Sequence, residues 1–443
     1  MALIVRHAEV GGRRADVRCA NGRVTAIGDR VDHASDDDVI DARGGALIPG
    51  LHDHHAHLLS LAAALESVRC GPPEVTNEAA LVAALRGASA VDWIRGVDYH
   101  ESVAGMPDRD TLDRWCPESR LRMQHRSGAL WMLNSAALHE LDIEHSPDPR
   151  VERDGHGRAT GRLWRADELV RPASSTPSLT RVGARLAAEG VTSVTDATAT
   201  NDATSAALLG QLPQRVRVMG PLGLATEGEV KLLLDDDALP PLDDAVILVR
   251  DAHAQGRGVA VHCVTLVQLV FAIEMFRRSG VEGDRIEHAS VAPGFTIAAM
   301  VELGLRVVSQ PGFVAERGDA YLRDVEPVDR DALYAFRSML AAGLSVRGST
   351  DAPFGRADCW GAMRAAVDRR TAGGAVLGPE ERLSPEQALD LFSTSPAIRP
   401  GGRADLVVLT VPFRAALLEL DARNVVATVV AGRVVFRSGG RPD

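Results

Sequence analysis

Short apolar runs alternate with stretches of helical periodicity through the middle of this chain. The first run, Ala46-Leu47-Ile48-Pro49-Gly50, leads into Leu51-His52-Asp53-His54-His55-Ala56-His57. Seven further strand-like segments follow: Val191 to Asp196, Arg215 to Met219, Val230 to Leu234, Gly258 to His262, Arg285 to His288, Leu305 to Gln310 and Leu344 to Ser349. Apolar positions recur at helical spacing between most of them, most clearly over Asp243 to Ala254, Leu266 to Arg278 and Thr296 to Leu303. Strand–helix alternation is the pattern of a parallel sheet. Eight such units predict an α/β fold, a TIM-like (β/α)8 barrel over residues 49–399, with its active site at the carboxyl ends of the strands.

The two ends of the chain are patterned differently. Ala2 to Val5, Asp16 to Ala20 and Arg23 to Ile27 read as strands, with Asn21-Gly22 as a hairpin turn between two of them. Ala404 to Leu409, Val425 to Val430 and Arg433 to Phe436 read the same way. Residues 1–48 and 400–443 are therefore expected to build one small β-sandwich domain. The stretch from about 58 to 180 breaks the alternation with Pro, Gly and charge clusters and holds four of the five tryptophans. It reads as an insertion after the first strand that covers the barrel mouth.

Composition narrows the class. Hydrophobic residues at 45% and charged residues at 25% are ordinary for a soluble protein. A net charge of -11 argues against nucleic acid and anionic membrane partners, which leaves a small-molecule substrate and room for a homo-oligomer. The chain has neither a secretory-type N-terminus nor an apolar run long enough to span a membrane. Its five cysteines are scattered, with no C-x-x-C pair, as expected of free thiols in a reducing cytoplasm.

The candidate chemistry lies at strand ends. Alternate residues of a strand project to one side, so His55 and His57 point together, as imidazoles must to share a divalent metal. His262 and His288 end the fifth and sixth strands, and Asp351 follows the eighth. Of the 49 Lys and Arg residues only one is lysine, Lys231, set in the apolar run Val230 to Leu234. A lysine kept where arginine serves everywhere else suggests chemistry arginine cannot do, because lysine can lose its proton when buried and react as an amine. A buried ion pair is the alternative.

With these residues in view, the chain resembles the amidohydrolase superfamily. The matching motifs are Pro49-Gly50-Leu51-x-Asp53-x-His55-x-His57, Lys231, His262, Arg285-Ile286-Glu287-His288-Ala289, Ser349-Thr350-Asp351-Ala352-Pro353 and Ala404-Asp405-Leu406-Val407. Trp93-Ile94-Arg95-Gly96, Asn134-Ser135-Ala136-Ala137-Leu138 and Ser309-Gln310-Pro311 are similar to motifs of the N-substituted formamide deformylase branch. Two places depart from that branch: Ala129 stands after Ser127-Gly128 where a histidine is usual, and Cys263-Val264-Thr265 follows His262. Both fall where substrate is expected, so the resemblance carries the chemistry further than the identity of the substrate.

The resemblance implies hydrolysis of a non-peptide C–N bond, in an amide or N-substituted formamide, by attack of a metal-activated water. His55, His57 and Asp351 would bind one divalent ion, most simply Zn2+, and His262 and His288 a second. Lys231, carbamylated, would bridge the two, with Asp351 as proton shuttle. Asp53 would orient a ligand histidine or close the turn, and His52 and His54 would face away from the metal. Alternation sends Glu287 towards the helices, to pair with an arginine. Gln310, His125, Trp93, Phe313 and Phe354 are the candidate substrate contacts. The rival readings are a one-metal cyclic deaminase and a metal-binding protein without turnover.

Overall fold

The computed structural model describes residues 2–72, 74–88, 92–170 and 178–439. Contacts divide the chain into two compact units, Met1–Leu59 with Leu179–Asp443, and Ser60–Ser178.

The larger unit is built on eight strands: β1 (Leu51–Ala56), β2 (Val191–Asp196), β3 (Arg215–Val218), β4 (Val230–Leu233), β5 (Val259–Cys263), β6 (Arg285–His288), β7 (Arg306–Ser309) and β8 (Ser345–Gly348). They form two parallel sheets, ordered β3-β2-β1 and β4-β5-β6-β7-β8. Backbone bonds also link the two sheets. A parallel bridge joins Gly220 to Val230, with Lys231 N donating to Gly220 O at 3.0 Å. On the other side, Asp351 N donates to His55 O at 2.9 Å and His57 N to Ala352 O at 2.8 Å.

Helices return the chain between most of these strands. α1 (Leu242–Ala254), α2 (Leu266–Ser279), α3 (Gly294–Glu302) and α4 (Gly312–Asp324) follow β4 to β7 in turn. α2 starts where the sequence asks it to: Thr265 and Gln268 cap each other's backbone N–H groups in a capping box. β3 and β4 are joined by a loop, which Arg257 pins by donating to the carbonyls of Pro221, Leu224, Gly228 and Glu229.

The run entering the histidine cluster is two strands rather than one. Leu47–Pro49 pairs antiparallel with Leu406–Leu409, while β1 pairs with β2. The break falls at Gly50, where a Cβ atom would lie 2.1 Å from Thr192 Oγ1 and 2.5 Å from Thr192 Cγ2. Only glycine lets the backbone pass there as it leaves one sheet for the other.

The chain ends form two further four-stranded sheets. One holds Arg23–Gly28, Arg13–Ala20, Leu3–Val10 and Asp38–Asp41, and the other Arg433–Arg437, Val425–Val430, Leu406–Leu409 and Leu47–Pro49. One buried apolar cluster draws on both, with Val5, Val17, Val24 and Ile40 from the first and Leu47, Leu406, Val408 and Val429 from the second.

The unit Ser60–Ser178 has a six-stranded sheet of its own, ordered Val151–Arg153, Ala159–Trp164, Leu130–Leu133, Arg120–His125, Trp93–Tyr99 and Val68–Arg69. Buried clusters around Leu81, Tyr99, Leu112 and Met132, and around Trp131, Leu138 and Leu163, give it its own cores. No helix among the described residues is long and apolar enough to cross a membrane.

Candidate metal centre

At the end of β1, the ligand atoms of His55, His57 and Asp351 lie within 4.8 Å of one another. Asp351 Oδ1 is 3.4 Å from His55 Nε2 and 3.2 Å from His57 Nε2. These are charge contacts without hydrogen-bond alignment, since Oδ1 is buried and accepts no hydrogen bond. His288 joins the group with its ring centroid 4.9 Å from that of His55, and His262 lies 4.5 Å from His288. Lys231 is 5% exposed and its Nζ has no partner. It is near enough for its charge to act on His55, His262 and His288.

The Nδ1 atoms of three histidines are taken up from behind. His55 Nδ1 meets Glu287 Oε2 at 2.5 Å, His57 Nδ1 meets Thr198 Oγ1 at 2.9 Å and His288 Nδ1 meets Gln310 Oε1 at 2.8 Å. An acceptor on Nδ1 holds the proton there and leaves Nε2 as a lone-pair donor. Burial lowers the pKa of His262 and His288 to about 4, and it lowers that of the Lys231 amine. For Asp351 burial works the other way, but the neighbouring His57, His55 and His288 outweigh it and hold the carboxyl well below the usual range. Bare nitrogen lone pairs, an anionic carboxylate and an orphaned buried amine around one point fit a divalent cation.

Glu287 departs from its expected direction. It points at His55, with Arg285 Nε donating to its Oε1 at 2.9 Å, and it is fully buried. The alternation argument failed because the last residue of β6, His288, has φ 70°, in the left-handed region, so Glu287 and His288 both reach the cluster.

Asp53 closes a junction rather than orienting a ring. Its Oδ1 accepts from Thr350 N at 3.0 Å and His55 N at 3.3 Å, and its Oδ2 from Thr350 Oγ1 at 2.5 Å, tying β1 to the segment after β8. His52 and His54 stack on each other at 3.8 Å, with His52 Nε2 3.0 Å from Thr195 Oγ1.

The expected substrate contacts are divided between the two units. Phe354 is half exposed, its ring edge-on to His57 at 5.3 Å. Phe313 is buried under the Arg317 guanidinium and against Tyr334. Gln310 is fully buried, its amide shared between His288 and Ser349, which puts it behind a histidine. His125 and Trp93 belong to the unit Ser60–Ser178. There His125 bonds Glu101 and Ser127, and Trp93 lies under Arg122. Thr198, Arg285 and Thr350 carry no role in the sequence reading; Arg285 and Thr350 stand within the quoted motifs, while Thr198 had only its place just beyond a strand end as a signal.

Comparison with known proteins agrees with this geometry. The model of the amidohydrolase family matches residues 38–436. The N-substituted formamide deformylase of Arthrobacter pascens is 28% identical over 518 residues, covering 96% of this chain and 95% of that protein. A metal-dependent hydrolase from Pyrococcus horikoshii OT3 shares the fold with a TM-score of 0.74 at 18% identity, over 93% of this chain and 97% of that one. Another from Pyrococcus furiosus gives 0.72 at 20% identity, over 91% and 98%. The chain belongs to the amidohydrolase family and is a hydrolase of carbon–nitrogen bonds other than peptide bonds.

Proposed function

We propose that this chain hydrolyses a non-peptide amide, with N-substituted formamides as the leading class, at a Zn2+ site inside a closed (β/α)8 barrel. The observation that carries the reading is the convergence of His55 Nε2, His57 Nε2 and the bare Asp351 Oδ1 beside the orphaned Lys231 amine. Closure of the barrel is supported by the backbone bonds from Lys231 to Gly220 and from Asp351 to His55. Residues 49–399 would make the barrel, with the insertion at about 58–180. Residues 1–48 and 400–443 would make the sandwich, around the apolar cluster shared by the two terminal sheets.

In this reading His55, His57 and Asp351 would hold one ion and His262 and His288 a second. Lys231, as the neutral amine, would add carbon dioxide and lose one proton, becoming a carboxylate that could serve as a further metal ligand. Arginine could not replace it, since it stays protonated at every working pH. Bound divalent ions would supply a nucleophilic water near neutral pH and polarise the substrate carbonyl. Asp351 takes the proton as water adds to the carbonyl carbon, then gives it to the nitrogen as the C–N bond breaks. The products are a carboxylate and an amine. Phe354, half exposed beside His57, offers an apolar wall for the group on that nitrogen. The similarity to a formamide deformylase supports formyl as the acyl group.

The test is turnover of N-substituted formamides and simple amides by zinc-loaded protein, with metal counted. Asp351→Asn is expected to lower kcat by at least about 100-fold, the scale of a lost proton shuttle. Ring deamination with a single ion would replace this reading with the cyclic deaminase, and stoichiometric zinc without turnover would replace it with a binding protein.

A further inference from the structure

A chain of alternating charges runs from the surface to His55. Arg217 on β3 pairs with Glu229 just before β4, Nε to Oε2 at 3.0 Å and Nη2 to Oε1 at 3.1 Å. Arg285 on β6 lies 3.8 Å from Glu229 and 2.8 Å from Glu287, and Glu287 meets His55 Nδ1 at 2.5 Å. Side-chain exposure falls along it, from 43% at Arg217 through 9% at Glu229 and 7% at Arg285 to 0% at Glu287 and 1% at His55.

Such a chain is a poor way to stabilise a fold. Taking ions out of water costs several kcal/mol each, and well-packed apolar residues often do as well or better. Its terminus is specific, however. Glu287 uses Oε1 on Arg285 and aims Oε2 at Nδ1 of a single histidine. His57 and His288 meet neutral partners at the same atom, Thr198 Oγ1 and Gln310 Oε1. Among these three, His55 alone is backed by a carboxylate. A carboxylate behind a ligand imidazole fixes its tautomer and raises its basicity.

We propose that Glu287 is a positioning residue: anchored by Arg285, it keeps the proton of His55 on Nδ1 and presents Nε2 as the strongest nitrogen donor of the site. Arg217 and Glu229 hold Arg285 in place from the other side. The inference rests on the metal reading given above, and its test separates the two.

Zinc affinity is measured by chelator competition on wild type, Glu287→Gln and Arg285→Gln, with thermal melting to check the fold. Independently, 15N-histidine NMR of the metal-free wild type reads the His55 tautomer, with the resonance assigned by its loss in His55→Asn. Glu287→Gln is expected to weaken zinc binding about 10- to 100-fold at unchanged fold. Arg285→Gln should weaken it less, and His55 should carry its proton on Nδ1. Equal zinc affinity in wild type and Glu287→Gln, or a His55 proton on Nε2, overturns the inference. If Glu287→Gln does not fold, the wild-type tautomer decides. Wild type that binds no zinc at all overturns the metal reading instead.

Discussion

At the scale of single residues, burial has opposite effects that end in the same place. It pushes His262, His288 and Lys231 towards their neutral forms, while the histidines around Asp351 keep that carboxyl anionic against it. Lys231→Ala is expected to lose one metal of two and at least about 10- to 100-fold in activity, with part restored by small carboxylates in the buffer. Lys231→Arg with full activity and metal content would sink the carbamate. The histidine candidates could be picked out from sequence because each lies at the end of an apolar run, and Lys231 because it is the one lysine. Their supports were hidden. Glu287 was assigned to the wrong side because no sequence pattern announces the left-handed His288 beside it. The bond from Gln310 to His288 spans two neighbouring strands, which no local sequence pattern shows.

At the scale of elements, strand placement followed from composition and boundaries from contacts. Val191–Asp196 and Arg285–His288 occupy the residues expected, since bounded runs of apolar and β-branched residues leave little choice. The run through Ala46 to His57 reads as one strand on the same criteria, yet it serves two sheets. What divides it is the approach of Thr192 to Gly50, a contact between segments far apart in sequence. Gly50→Ala should therefore cost about 1–3 kcal/mol, read as a lowered Tm, because the β-branched Thr192 side chain cannot swing aside freely. Combining it with Thr192→Ala should recover part of the loss. If Gly50→Ala melts with wild type, the crowding does not exist. Asp53 acts at this scale too, binding the Thr350 N–H and hydroxyl so that the segment carrying Asp351 stays against β1.

At the scale of the whole molecule, stability should carry a signature of Glu189. It sits in the turn before β2, with Oε2 buried and unpartnered and Oε1 3.5 Å from Arg185 Nε. Burial, then the nearby Asp358, push its pKa from 4.5 up to about 8. A folded-state pKa above the unfolded one means stability is full below about pH 4.5 and drains away as pH rises to about 8. The slope approaches about 1.4 kcal/mol per pH unit if nothing relaxes. Glu189→Gln should melt above wild type at pH 8 and close to it at pH 5; equal melting at both would rule the effect out. The division into units was legible only in part. The sequence marks the stretch from about 58 to 180 as foreign to the alternation, but its six-stranded sheet stayed hidden. Two of its strand pairings are parallel, across intervening helices.

A chain with one lysine has one side-chain amine, and here that amine is enclosed without a partner. Isotope chemistry can exploit this. Bicarbonate enriched in 13C can label a side chain at one position only, so a side-chain carbamate should appear as one carbonyl resonance that is absent from Lys231→Ala, whereas any α-amine carbamate persists in both. The signal should rise with added metal and fade with a chelator. The protein thus carries its own reporter for assembly of the site, readable without any substrate.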